Sequence, residues 1–231
     1  MTYLLNIDTA AGEASICVSD GATPLSLLSN PVQMDHAAWI HTAVREALKN
    51  AGIQMSQLEA IAVTAGPGSY TGLRVGMATA KGLCYALNLP LITVSTLEGM
   101  AAAAIRALPV TDPQQQAPLI CPMIDARRME VFTAVYDTSL HTLLEPCAMI
   151  LDEQSFSGFL EVAPVIFSGS GSGKWAKLTT HPNALFKNIV FSAADLAAEA
   201  CKKLKTRSFS PLAYSDPIYI KEFYTPPTHN S

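Results

Sequence analysis

The chain has 231 residues, enough for one large domain or two small ones with a proper core. Apolar residues make up 49% and charged residues 15%, a balance that predicts extensive burial or a sizeable subunit interface. With a net charge of −4 and no basic run beyond Lys202-Lys203-Leu204-Lys205, it is not expected to hold nucleic acid by itself.

Short apolar runs separated by turn residues open the chain. Tyr3 to Ile7, Ala14 to Ser19 and Leu25 to Ser29 read as strands, with Ala10-Ala11-Gly12 and Asp20-Gly21 as the turns between them. A helix follows over Asp35–Ala51, with Asp35 as N-cap, Ile40, Val44, Ala47, Leu48 and Ala51 as core positions, and Gly52 as the stop. Ala60 to Ala65 reads as a buried strand. It runs into Gly66-Pro67-Gly68-Ser69-Tyr70-Thr71-Gly72-Leu73-Arg74-Val75-Gly76 and a helix over Leu73–Leu87. In that helix Leu73, Met77, Ala80, Leu83 with Cys84, and Leu87 recur at helical spacing. A strand, a glycine turn and a helix start in that order place free N–H groups and a positive dipole end together. Such a corner can hold an anion, or be only a closely packed turn. The strand Leu91 to Val94 follows, after Pro90.

Ala107 to Pro118 is rich in Pro, Gln and Ala and reads as a linker or exposed loop. Beyond it the order repeats. Leu119 to Ile124, Met129 to Tyr136 and Leu143 to Ile150 read as strands, Asp152 to Leu160 as a helix, and Pro164 to Phe167 as a strand. Ser168 to Gly173 is a second glycine corner. A last helix, Ala193 to Leu204, sets Leu196, Ala197, Ala200, Cys201 and Leu204 on one face. Ile7-Asp8 and Ile124-Asp125 each put a carboxylate at the end of the first strand of a half. This repetition is the layout of the duplicated ribonuclease-H-like (ASKHA) α/β fold of actin, sugar kinases, acetate kinase and the Hsp70 ATPase. The expected division is a first lobe over 1–107, a linker over 108–118 and a second lobe over 119–231. The last helix and tail are candidates to pack back on the first lobe. Fold analogy does not by itself carry function.

Asp8 and Asp125 are candidates to position a metal–nucleotide between the lobes, or merely to cap adjacent turns. Nucleotide-binding members of the fold have Gly-rich hairpins beside these aspartates. Here the first hairpin has only Gly12, and the second is Ala126-Arg127-Arg128-Met129. Asp8, Gly66, Gly68, Gly72 and Asp125 are therefore read as a degraded phosphate-type site. Gly66 to Gly72 has the spacing G-x-G-x-x-x-G, which is not the dinucleotide fingerprint. Gly169-Ser170-Gly171-Ser172-Gly173-Lys174 fails as a Walker A loop, since Ser168 and Trp175 stand at its two ends, and it reads as a flexible turn. His36 and His41 point to different faces of one helix, away from a shared metal. On the helix after the glycine corner, Ala78, Gly82 and Ala86 form a stripe of small side chains that lets another backbone approach.

No apolar run is long enough to span a bilayer, and the first residues show no basic leader or cleavage site. Cys17, Cys84, Cys121, Cys147 and Cys201 are scattered and lack any C-x-x-C pair. Reduced, mostly buried thiols in the cytoplasm are expected, with no zinc site.

Five segments carry a family resemblance: Ile7-Asp8-Thr9-Ala10, the run Gly66 to Gly76, Val94-Ser95-Thr96-Leu97, Ile124-Asp125-Ala126-Arg127 with Glu130-Val131, and Pro217-Ile218-Tyr219-Ile220-Lys221. The long glycine run is the specific one. In these segments the chain resembles the TsaB (YeaZ) branch of the "glycoprotease" family, whose other branch is the threonylcarbamoyl transferase TsaD. The resemblance implies a two-lobed fold and a role in making N6-threonylcarbamoyladenosine in tRNA, with TsaD carrying the chemistry and the TsaB branch as its non-catalytic partner. TsaD-like proteins have two metal-binding histidines in an H-x-E-G-H segment, where this chain has Thr96-Leu97-Glu98-Gly99-Met100. Neither a hydroxyl nor a thioether is a good replacement for imidazole. Relatives often have glycine where this chain has Met129, which counts against a phosphate role for that turn.

Expected partners are TsaD as a heterodimer, TsaE, and, through the complex, TsaC and tRNA. A weak homodimer is also expected. No cofactor is expected on this chain, and ATP would enter at the level of the complex. In related folds the helices Asp35–Ala51 and Leu73–Leu87 share an outer face. The stripe Ala78, Gly82 and Ala86 is therefore the expected contact, with His36, Trp39 and Ile40 at its edges. The rival readings are an ATP-dependent phosphotransferase, a metallopeptidase, or a homodimeric scaffold outside tRNA modification.

Overall fold

The central strands are buried at successive positions rather than at alternate ones, so each sheet carries two apolar faces that must both be covered. A computed structural model of the chain describes residues 1–10, 12–30, 36–108 and 116–221, with only the backbone of His36. In the first sheet, β1 (Tyr3–Asp8), β2 (Ala14–Asp20) and β3 (Thr23–Asn30) form an antiparallel meander. Strands β4 (Leu58–Gly66) and β5 (Leu91–Ser95) add in parallel beyond β1, giving the order β3-β2-β1-β4-β5. The second sheet contains β6 (Leu119–Asp125), β7 (Glu130–Tyr136), β8 (Thr142–Ile150), β9 (Val165–Ser168) and β10 (Ala184–Phe186). Its order, β10-β9-β6-β7-β8, is the first order read from the other edge. The duplicated ribonuclease-H-like fold is thus present in both sheets.

On one face of the first sheet, Leu5, Ile7, Ile16, Val18, Ile61 and Val63 pack under α1 (His36–Asn50) and α2 (Tyr70–Leu87). On the other face, Leu4, Ala60, Ala62, Ile92 and Val94 meet Leu196, Ala200 and Cys201. The last two belong to α6 (Ala197–Lys205), which follows a 3-10 turn over Ala193–Leu196. In the second sheet, Met123, Val131, Val165 and Phe167 pack on Leu160 of α4 (Ser157–Val162) and Trp175 of α5 (Ser172–Trp175). Its opposite face, with Ile120, Ala134 and Ile166, is covered by Leu97, Met100, Ala101 and Ala104 of α3 (Thr96–Arg106). Each half therefore lends a helix to the other half's sheet. An ion pair between Arg106, at the end of α3, and the buried Asp195 ties α3 to the 3-10 turn that leads into α6.

Several elements differ from the sequence reading. Helix α2 starts at Tyr70 rather than Leu73, because Ser69 accepts a hydrogen bond from Gly72 N and caps it. Helix α3 was not expected. Its Gly99, Met100, Ala101, Ala103 and Ala104 are all buried, so it lacks the polar face that marks an amphipathic helix. Ser95 and Glu98 are its one local signal, Ser95 Oγ accepting from Glu98 N. The helix expected over Asp152 to Leu160 is a turn followed by α4, where Asp152 caps the turn through Gln154 N and Ser155. Strand β10 was also unforeseen. Asp35 as N-cap, and most of the linker over 108–118, lie outside the described residues. Cys17, Cys84, Cys121 and Cys201 are buried free thiols, and Cys147 is a half-buried one.

Candidate functional site

The glycine corner is filled by the chain's own backbone. Ser69 N donates to Ala10 O at 2.8 Å, and Thr9 Oγ1 donates to Gly72 O at 2.7 Å. A Cβ on Gly68 would run into Ala10 O, one on Gly72 into Thr9 O, and one on Gly76 into Thr9 Oγ1. Gly66 has φ +117, and a Cβ there would lie 2.5 Å from Ile218 O. The absent side chains make room for the β1–β2 turn and for the C-terminal tail. Gly66, Gly68 and Gly72 thus serve close packing, a use for these glycines that needs no phosphate. The second corner is packed at Gly169 and Gly171 and open at Gly173. A Cβ on Gly169 would meet Met123 O and Met100 Cε.

Asp8 and Asp125 occupy equivalent strand ends in opposite environments. Asp8 is fully buried, its Oδ1 accepting from Ala10 N at 3.1 Å and from Thr64 Oγ1 at 2.9 Å. Its Oδ2 has no hydrogen-bond partner among the described residues. Burial pushes this carboxyl up to about 6, with the nearby Asp195 adding to the effect. Asp125 is exposed. Its Oδ1 accepts from Lys174 Nζ at 2.7 Å and Arg127 N at 2.7 Å, and the lysine first of all holds its carboxyl below the usual range. One aspartate is enclosed and the other is already neutralised, so the pair does not form a matched metal–nucleotide clamp. Among the described residues, no three of His, Cys, Asp and Glu come together to hold a metal.

Thr96 and Met100, at the histidine positions of the H-x-E-G-H segment, lie in the core between the sheets. Thr96 is fully buried and Met100 is 7% exposed. The Met100 methyl fills the space in front of Gly169.

The stripe on α2 faces outward. Ala78, Gly82 and Ala86 are exposed, as is Tyr85 beside them, and a Cβ on Gly82 would meet nothing within 4 Å. Helix α1 lies next to α2. Trp39 is half-buried against the core, and His41 is exposed. Ile40 is fully buried under α1, which corrects its placement at the edge of a partner surface. The placement of the His36 side chain lies outside the described residues.

The tail over residues 211–221, a candidate from the sequence to pack back on the first lobe, touches both lobes. Lys81 Nζ bonds Ser215 O at 2.9 Å and Ala213 O at 3.3 Å, and Ile218 N donates to Ala65 O at 2.6 Å. Lys221 then pairs with Glu130 on the second sheet at 2.8 Å. The segment Pro217 to Lys221 was noticed as a motif, but no local spacing indicates that it crosses from one lobe to the other.

Known proteins resemble the chain over nearly all of its length. A family described as "TsaD: tRNA N6-adenosine threonylcarbamoyltransferase" matches residues 30–216. The Escherichia coli tRNA threonylcarbamoyladenosine biosynthesis protein TsaB is 27% identical over 231 residues, covering 94% of each chain. The Haemophilus influenzae protein of the same name is 34% identical over 129 residues, 56% of this chain and 51% of its own length. A Pseudomonas aeruginosa crystal structure, of an uncharacterised protein similar to the peptidase YeaZ, aligns with TM-score 0.82 at 24% identity. That alignment covers 96% of this chain and all of the other, and it shows the shared fold.

Proposed function

Because this chain belongs to the TsaD family, matched over residues 30–216, we propose that it serves in making N6-threonylcarbamoyladenosine in tRNA. Its role is that of a non-catalytic partner of TsaD. The observation that carries this reading is the filling of the H-x-E-G-H position. Thr96 and Met100 are core residues there, with Met100 seated against Gly169. Imidazole–metal chemistry has neither its ligands nor an open position at that point. The glycine corner, occupied by Thr9 and Ala10, likewise supports a role without phosphoryl transfer by this chain alone.

The exposed small-residue stripe on α2, beside α1, is the proposed contact for TsaD and, at high concentration, for a second copy. Flat small side chains let two helices approach closely, and shared ancestry of the two proteins allows a pseudo-symmetric pair. TsaE is a further partner, TsaC and tRNA join through the complex, and ATP enters at the level of that complex. The test is reconstitution of the modification with TsaD, TsaC, TsaE and tRNA, with and without this chain, the modified nucleoside being read by mass spectrometry. Product is expected only when the chain is present. Equal product without it overturns the reading.

A further inference from the structure

Beside the glycine corner a cavity of about 140 Å³ opens between the two sheets, walled in part by Tyr70, Phe132, Tyr219 and Lys221. The Tyr70 and Tyr219 rings stand 5.3 Å apart and are 38% and 39% exposed. Arg74 lies at one end, its guanidinium 4.3 Å over the Tyr70 ring and its Nε–H donated to the Tyr219 hydroxyl at 3.3 Å. At the other end, Lys221 bonds both carboxylate oxygens of Glu130, at the foot of the β6–β7 hairpin.

The tip of that hairpin is Arg127 and Arg128, with φ +71 and +47. Glycine or asparagine ordinarily supplies this left-handed conformation, so two neighbouring arginines are an outlier held by their surroundings. Lys174 fastens the hairpin base, reaching Glu130 O at 2.9 Å and Asp125 Oδ1 at 2.7 Å. The hairpin's two carboxylates are thereby paired with lysines from other elements. The guanidiniums of Arg127 and Arg128 remain as the excess charge, positive in a chain of net −4.

We propose that this strip is a contact for single-stranded RNA, an inference that rests on the tRNA-modification reading above. One base enters against Tyr70, Phe132 and Tyr219, while flanking phosphates lie on Arg74 at one end and on Arg127 and Arg128 at the other. Every base has a face to stack on an aromatic ring, and guanidinium forks match phosphate oxygens. The cavity is close in size to the roughly 150 Å³ hole that takes a benzene ring, so it suits one ring and not a whole nucleotide. The acidic remainder of the chain keeps the contact weak until a partner complex holds the RNA.

Fluorescence anisotropy tests this with the full chain and a labelled RNA stem-loop, against a blunt RNA duplex of the same stem and against ATP as competitor. The variants are Arg127→Gly with Arg128→Gly, and Tyr219→Ala. Glycine suits both positive-φ sites, so the double variant keeps its fold, as thermal melting checks, and it carries the test if Tyr219→Ala melts early. The stem-loop is expected to bind more tightly than the duplex. The double variant should weaken it about tenfold and reduce the log–log salt slope by about 1.4, as two lost single-strand phosphate contacts require. Tyr219→Ala should weaken binding with the slope unchanged. Equal binding of loop and duplex, full affinity in the double variant, or displacement of the RNA by stoichiometric ATP would each overturn the proposal. Reconstitution separates the two ideas. If the modification still requires the chain, the RNA contact alone has failed; if the chain is dispensable, the underlying reading has.

Discussion

Thr9 donates its hydroxyl proton to the carbonyl oxygen of Gly72 at 2.7 Å, across 63 residues of sequence. The Thr9 carbonyl in turn lies where a Gly72 Cβ would have to go. The β1–β2 turn is latched onto the first turn of α2, and the glycine motif is the socket that receives it.

Two glycines of one helix should therefore respond to alanine with opposite signs. Gly72→Ala forces a methyl into the Thr9 backbone and should destabilise by about 1–3 kcal/mol or more. Gly82→Ala meets open space and should stabilise by about 0.5–1 kcal/mol, through backbone entropy and helix propensity. Urea denaturation of the two variants measures this. Equal losses in both would contradict the outward-facing stripe.

Gly82→Arg probes the proposed partner surface. The side chain projects into solvent in the free chain, so the melting temperature should stay close to that of the wild type. In a close helix pair the same charge would be buried unpaired, at a cost of about 3–5 kcal/mol, enough to abolish a micromolar complex. Co-purification with TsaD should fail. A folded variant that still binds TsaD would move the contact elsewhere.

Asp8 makes stability depend on pH in a direction unusual for a carboxylate. Its carboxyl is raised in the native state from 3.8 to about 6, by burial first of all. Between those values the native chain holds a proton that the unfolded chain has released, so stability falls as pH rises through the window. The full effect is on the order of 3 kcal/mol. Asp8→Asn should remove this dependence, and the difference between variant and wild-type unfolding free energies should shift in the variant's favour from pH 4 to pH 7, the range set by that shift. Parallel curves would show that Asp8 is ionised without penalty.

Trp175 anchors the second lobe. It is 1% exposed, with ring centroids 5.6 Å from Phe167 and 5.9 Å from Phe156. Trp175→Ala should cost about 3–5 kcal/mol. Its indole N–H has no partner among the described residues, so Trp175→Phe loses no hydrogen bond and should cost clearly less. Denaturant midpoints of the two variants rank them, and equal losses would point to a hidden partner for the indole.

Much of the architecture was legible from local pattern. Short apolar runs between turn residues marked most strands of both sheets, the spacing of Ile40, Val44, Ala47 and Leu48 marked α1, and the repeated strand-end aspartates pointed to the duplication. The outward stripe on α2 was also readable, because Leu73, Met77, Ala80 and Cys84 already claimed the inward face. Helix α3 was not, because a segment buried on nearly every side has no periodic contrast to detect.

The sequence by itself determined most of the order of elements, though not α3 or β10, together with the duplication and the family, since each is written in neighbouring residues and their spacing. Only the tertiary structure decided what the marked residues do. It gave Gly68 and Gly72 to the Thr9–Ala10 backbone, enclosed Asp8 while leaving Asp125 paired with Lys174 in solvent, and put Ile40 in the core. It also carried Tyr219 to Tyr70 and Lys221 to Glu130. Those outcomes depend on which groups arrive from distant parts of the chain, and burial, charge and contact are properties of the assembled neighbourhood that spacing along the chain does not encode.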